Sequence, residues 1–169
     1  MPISRLVSTA AFVLAILLSS AALAAILPPP APQPALPSPS LQLQPADVVR
    51  IVIEALANND EPFADAGIAT TFAFASPANK ANTGPLSKFT QMVKNPAYAI
   101  MIDHREHEFS EVVLTGNKAY QMVRILGTSG AEVVFAFRLG LQQDGEFAGM
   151  WMTDAVWPVA SGDIPAPAF

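Results

Sequence analysis

No cysteine occurs among the 169 residues. That absence removes disulfides, thiolate metal sites and cysteine nucleophiles together, and leaves the redox compartment open. Histidine is nearly as scarce, at two residues, and charged residues make up only 14%. Nine Lys and Arg against fourteen Asp and Glu give a net charge of −5, and the basic residues form no cluster. A chain of this balance repels phosphate backbones, which argues against nucleic-acid binding. There is no HExxH pattern, no twin-arginine motif and no Gly-rich phosphate loop; Gly127-Thr128-Ser129-Gly130 is too short and joins two strands. Ser76 and Ser87 lack a companion His and Asp motif, so a serine hydrolase is not indicated.

The sequence does hold a strong N-terminal signal. Arg5 supplies a short basic region, residues 10–18 (AAFVLAILL) are apolar, and Ala22-Leu23-Ala24 fits a small-residue cleavage site. Together they predict a signal peptide over 1–24 and a secreted or extracytoplasmic protein. A chloroplast transit peptide and an uncleaved anchor are the alternatives. Ser19-Ser20 interrupts the apolar run and leaves it marginal for a span of about 20 residues. Residues 25–44 are Pro-rich and predict a polyproline spacer. A single α+β domain is expected over 45–159, with a flexible tail over 160–169.

Within the domain, Val49, Val52, Ile53 and Leu56 form one helical stripe, with Asp47 as its N-cap. Residues 65–74 and 86–93 predict two further short helices. The stretch between them, broken at Ser76-Pro77 and Thr83-Gly84-Pro85, predicts a loop. Strands are expected over 98–102, 109–114, 119–126, 132–141 and 148–157. Asp144-Gly145 is the strongest hairpin signal among them. The expected architecture is an antiparallel curved sheet covered on one face by about three N-terminal helices.

Placing Leu126 opposite Ala131 puts Met122 opposite Phe135 and Tyr120 opposite Phe137. Placing Gln143 opposite Glu146 puts Asp154 opposite Phe135 and Met152 opposite Phe137. One sheet face then carries Tyr120, Met122, Arg124, Phe135, Phe137, Met152 and Asp154, the expected ligand pocket. The other carries Val123, Val134 and Trp151, an expected interface for a homodimer. A one-residue slip in pairing exchanges the two faces.

Several local motifs converge on a family. Asp47-Val48-Val49, Ala55-Leu56, Asn59-Asp60, Gly67-Ile68-Ala69-Thr70, Phe74-Ala75-Ser76-Pro77-Ala78-Asn79, Thr83-Gly84-Pro85-Leu86 with Phe89 and Met92, and Trp151-Met152-Thr153-Asp154 resemble the domain-of-unknown-function 4864 family in its plant-like form. The resemblance implies a cone of the nuclear-transport-factor-2-like, or cystatin-like, kind: a curved sheet wrapped on a helix, leaving a pocket. It implies no catalytic set, and such folds host isomerases, dehydratases, binding modules and silent adaptors alike.

Candidate chemistry rests on Asp154, which in an apolar pocket would gain basicity as a general base, with Arg124 as its neighbour. Tyr120 could donate to a ligand. His104 and His107, in Asp103-His104-Arg105-Glu106-His107-Glu108, have metal-ligand chemistry, but an extended segment would send them to opposite faces, so no metal site is expected. No cofactor is expected. With no set of convergent titratable groups, the favoured function is a non-catalytic module binding a small apolar ligand or another protein. The alternative is an isomerase- or lyase-type pocket enzyme using Asp154.

Overall fold

The computed structural model describes residues 35–160. The expected leader, the first part of the Pro-rich segment and the tail beyond Ala160 lie outside the described residues. Four helices come first: α1 (Pro45–Ala57), α2 (Ala66–Ala73), α3 (Pro77–Thr83) and α4 (Leu86–Val93). A 3-10 turn at Ala99–Met101 leads into β1 (Glu106–Phe109), β2 (Val113–Thr115), β3 (Lys118–Leu126), β4 (Glu132–Leu141) and β5 (Trp151–Val159). The sheet is antiparallel in the order β1-β3-β4-β5, with β2 following β1 along the same edge of β3. The fold is α+β, an open curved sheet with the helices before the strands.

The apolar stripe of α1 is the centre of the core. Val48, Val49, Val52, Ile53 and Leu56 are all fully buried. Each such side chain stabilises the fold by roughly 1.5–3 kcal/mol relative to exposure. The helix starts three residues earlier than its polar signal suggests. Gln44 precedes it, Pro45 occupies the first turn, and Asp47 sits inside, its carboxylate accepting the Gln44 N–H at 2.9 Å.

Asn59 then joins α1 to α2. Its carbonyl accepts Gly67 N–H (2.9 Å), its side-chain oxygen accepts Ile68 N–H (3.2 Å), and its amide donates to Asp60 (2.7 Å) and Asp65 (3.0 Å). Asp103, from beyond α4, accepts the Asn59 N–H at 3.2 Å. The expected loop between α2 and α4 is instead the helix α3. Ser76 is extended, as the following proline requires, but it is also the N-cap, accepting Asn79 N–H at 3.2 Å, and Pro77 opens the helix. A break in one helix is here the start of the next.

Two strand expectations and two hairpin expectations change. Residues 98–102 hold the 3-10 turn rather than a strand, and residues 109–114 divide between β1 and β2. At the β3–β4 hairpin, the Gly127 carbonyl accepts Gly130 N–H (3.0 Å), Gly130 has φ +84°, and Gly127 N–H donates to Ala131 (2.9 Å). This is a turn closed by a left-handed glycine, so Leu126 faces Glu132 rather than Ala131. The slip places Ala119, Gln121, Val123 and Ile125 inward with Phe135, Phe137 and Leu139, and turns Tyr120, Met122 and Arg124 outward.

Asp144-Gly145 does not close a two-residue hairpin; the connection is longer and contains a 3-10 turn at Gly145–Phe147. Phe137 consequently faces Val156, not Met152. A bulge follows: Arg138 faces Ala155 and Leu139 faces Thr153, leaving Asp154 as the extra residue. Phe74 and Ser76 hydrogen-bond across Thr153 on the far edge of β5, covering that edge.

Candidate functional site

The cavity between the helices and the sheet has a volume of about 360 Å³. Helix α1 lends it Val52 and Leu56, and α4 lends Phe89, Met92 and Val93. Tyr98 and Met101, around the 3-10 turn, close one side; Phe137 of β4 and Thr153 to Val156 of β5 form the floor. Thr71, Asn79, Asn82 and Thr83 line the α2–α3 side. These residues converge because α1 lies across the concave face and the short helices α2–α4, broken at prolines, fold back over it.

Most of the polar wall is already engaged. Tyr98 hydroxyl donates to Val156 O (3.2 Å), Asn79 amide to Thr153 O (3.0 Å), Thr71 hydroxyl to Gly67 O (2.9 Å) and Thr83 hydroxyl to Asn79 O (2.9 Å). Thr153 Oγ1 is different. Thr153 is 4% exposed, and its hydroxyl is buried with no hydrogen-bond partner. Gln121 Oε1 and Arg138 Nε are the other such atoms among the described residues. Gln121 does not line the cavity. Arg138 borders it at the bulge, but it alternates with buried Phe137 and Leu139, which directs its side chain to the opposite face.

The expected site residues are divided by this geometry. Phe137 and Asp154 border the cavity. Tyr120, Met122 and Arg124 lie on the outer face; Tyr120 is 40% exposed, and Arg124 Nη1 meets Glu108 at 2.7 Å and its Nε meets Glu132 at 3.5 Å. Arg124 and Asp154 are therefore not paired with each other. Phe135 is buried beneath Tyr98, ring centroids 6.1 Å apart. Met152 is buried opposite Gly140.

Asp154 carries no free carboxylate into the cavity. Its Oδ2 lies 2.6 Å from Lys118 Nζ. Both groups stand where a Cβ on Gly140 would project, at 2.6 Å and 2.9 Å, and Gly140 points away from the core side marked by Leu139. The bulge thus exposes the Asp154 backbone position to the cavity while its carboxylate crosses to the other face. Of the expected interface residues, Val123 and Trp151 belong to the core side, Val123 fully buried and Trp151 packed against the cluster; Val134 is on the outer face but only 5% exposed. The outer face presents Tyr120 and Trp157 instead.

His104 and His107 come together, contrary to the extended expectation. Asp103 has φ +49°, so His104 turns back before β1 begins at Glu106. His104 Nε2 and His107 Nδ1 are 2.9 Å apart, and His104 Nδ1 is 2.8 Å from the Met101 carbonyl. That carbonyl can only accept, so Nδ1 carries hydrogen, and neutral His104 accepts from His107 through Nε2. Burial pushes His104 below the ordinary imidazole value, opposed by its bond to Met101; His107 lowers it further and Asp103 raises it. Among the described residues no group of three or more His, Asp or Glu is placed to hold a metal ion, and no helix is long and apolar enough to cross a membrane.

Lys80 carried no sequence signal beyond a polar stretch. Its ammonium donates to Ala73 O (2.9 Å) and lies over the rings of Phe72 (5.7 Å) and Phe147 (5.1 Å). Burial lowers its pKa, and Glu146 opposes the shift. Those contacts tie the end of α2 to α3 and to the β4–β5 connection, and Lys80 does not line the cavity.

The motif residues quoted for the family are mostly accounted for by architecture. Asn59 joins α1 to α2, Gly67 allows their close approach, Ser76 caps α3, and Asn79 holds β5. No curated protein and no solved structure matches the chain. Residues 42–160 match the model of a domain of unknown function, DUF4864, and the chain belongs to that family.

Proposed function

We propose that the domain is a non-catalytic module that binds a small, mostly apolar molecule between its helices and its sheet. The observation that carries this is the cavity of about 360 Å³, walled by Val52, Leu56, Phe89, Val93 and Phe137; of the two charged residues that border it, Asp154 is paired with Lys118 and Arg138 lies opposite the outward-facing Tyr120. Its size falls within the range of roughly 300–1,000 Å³ typical of ligand pockets. Acid–base catalysis requires a positioned group able to take and return a proton. Asp154 is held by Lys118, and the histidine pair is outside the cavity wall, which weighs against an isomerase or lyase reading.

The test uses 2-isopropylnaphthalene as an apolar probe, titrated by calorimetry into the purified chain and into Met92→Trp. Met92 is only half-buried, so the larger ring can be accommodated while filling the cavity. Saturable one-to-one binding to the natural chain, lost in Met92→Trp, supports the reading; no saturable binding to the natural chain contradicts it. A homodimer through the outer sheet face is the companion proposal, supported by the exposure of Tyr120 and Trp157 on that face.

A further inference from the structure

We propose that Thr153 is the polar anchor of this cavity and that it selects an uncharged ligand carrying one carbonyl, ether or hydroxyl oxygen on an otherwise apolar body. The inference rests on the binding reading above and adds the ligand's chemical class.

The hydrogen-bond inventory narrows the choice. The hydroxyls of Tyr98, Thr71 and Thr83 and the amide of Asn79 have each committed a hydrogen to a backbone carbonyl. Thr153 is fully paired through its backbone: its N–H donates to Phe74 O at 2.9 Å, and its carbonyl accepts from Ser76 N–H at 2.9 Å and from Asn79. Its hydroxyl, by contrast, is buried at the cavity floor with no hydrogen-bond partner. A buried polar group left unpaired costs free energy that a ligand oxygen would recover.

Position reinforces the assignment. Thr153 faces core residue Leu139 immediately beside the bulge, so its side chain is on the inner face. The two hydrogen bonds to 74–76 on one side and the β4 ladder on the other hold its backbone rigidly. A ligand oxygen would therefore meet a hydroxyl whose placement is already fixed, which favours discrimination over mere affinity.

Charge excludes the neighbouring ligand classes. A carboxylate in the cavity would find no cation: Lys118 is occupied by Asp154, and Arg138 is directed to the opposite face. An ammonium would find no anion for the same reason. An uncompensated buried charge is far more costly than an unpaired hydroxyl.

Calorimetric titration of the whole chain with three probes of one shape tests the inference: 2-acetylnaphthalene, 2-isopropylnaphthalene and 2-naphthoate. The ketone should bind at least about fivefold tighter than the hydrocarbon, and the carboxylate at least about tenfold weaker than the ketone. In Thr153→Val the ketone preference should fall to within about twofold, while Thr153→Ser keeps it. Equal binding of ketone and hydrocarbon by the natural chain overturns the anchor, as does a preference that survives Thr153→Val or naphthoate binding as tight as the ketone. A water molecule permanently serving Thr153 would give the first of these results. Failure of all three probes overturns the binding reading itself, whereas hydrocarbon binding without discrimination overturns only this inference.

Discussion

Replacing Gly67 by alanine sets two effects of opposite sign against each other. In an unencumbered helix the change stabilises by about 0.5–1 kcal/mol, because glycine loses more backbone freedom on folding. In α2 the added Cβ would lie 2.1 Å from the Ala55 carbonyl oxygen, 2.8 Å from its carbon and 3.0 Å from Asn59 Cα. These are backbone atoms and cannot rotate aside. Restoring ordinary van der Waals separation would require α1 and α2 to part by about 1 Å. That movement would stretch the Gly67 and Ile68 N–H bonds to Asn59, now 2.9 Å and 3.2 Å. Overpacking costs about 1–3 kcal/mol, and each weakened hydrogen bond contributes up to about 1 kcal/mol more. Steric cost therefore wins, with a net loss of roughly 2 kcal/mol from a total stability of about 5–15 kcal/mol. Urea unfolding followed by tryptophan fluorescence measures it, with an unchanged slope. Adding Ala55→Gly should not rescue the variant, since the obstacle is the Ala55 carbonyl and not its methyl. A neutral or stabilised Gly67→Ala would refute the close α1–α2 approach.

Four further outcomes are expected. Phe135→Ala removes a fully buried ring stacked on Tyr98 and should cost about 3–5 kcal/mol in the same unfolding assay; a loss within about 0.5 kcal/mol would place Phe135 at the surface. His104, held below its ordinary value of 6.5, binds its proton more weakly when folded than when unfolded, so its stabilising contribution is complete above that value and declines as pH falls below it. The urea midpoint should drop between about pH 7.5 and about pH 5.5, and less so in His104→Phe; a midpoint that rises on acidification contradicts the assignment. If the outer face joins two copies, Trp157→Glu should sediment as monomer at concentrations where the natural chain is dimeric, and a natural chain that is monomeric at high concentration removes that proposal. Export with cleavage should give a mature N-terminus near Ala25, whereas Met1 retained on soluble exported protein would contradict the leader.

The helical half of the domain was more legible than the sheet. The α1 stripe of Val49, Val52, Ile53 and Leu56 is visible because a 3.6-residue period needs no partner to define its face. Residues 86–93 form α4 with the expected bounds. A strand's period of two fixes alternation but not which alternate set faces inward, and that choice passed to the turns. Gly130 in the left-handed region lengthened one hairpin by a residue and moved Tyr120, Met122 and Arg124 across the sheet. The bulge at Asp154 is equally local, and it decides where the carboxylate goes. Phe135 and Phe137 face inward as expected, on the same alternate set of β4 as Leu139.

The site itself was legible only in fragments. Phe137 and Asp154, two of the expected pocket residues, border the cavity, but the pairing of Asp154 with Lys118 depends on the absence of a side chain at Gly140. Thr153 was visible only as part of the Trp151-Met152-Thr153-Asp154 motif, because an unsatisfied hydroxyl is a property of packing and not of spacing. The meeting of His104 and His107 likewise depends on one positive φ at Asp103.

The space between helices and sheet is proposed to take up an apolar molecule. Methyl-resolved NMR during titration with 2-acetylnaphthalene tests it most directly, since Val52, Leu56, Val93 and Val156 report on the cavity while Val113 and Val134 do not line it. Saturable shifts confined to the first group, at one probe per chain, are the predicted result. Shifts centred on the second group, or none that saturate, would contradict the account.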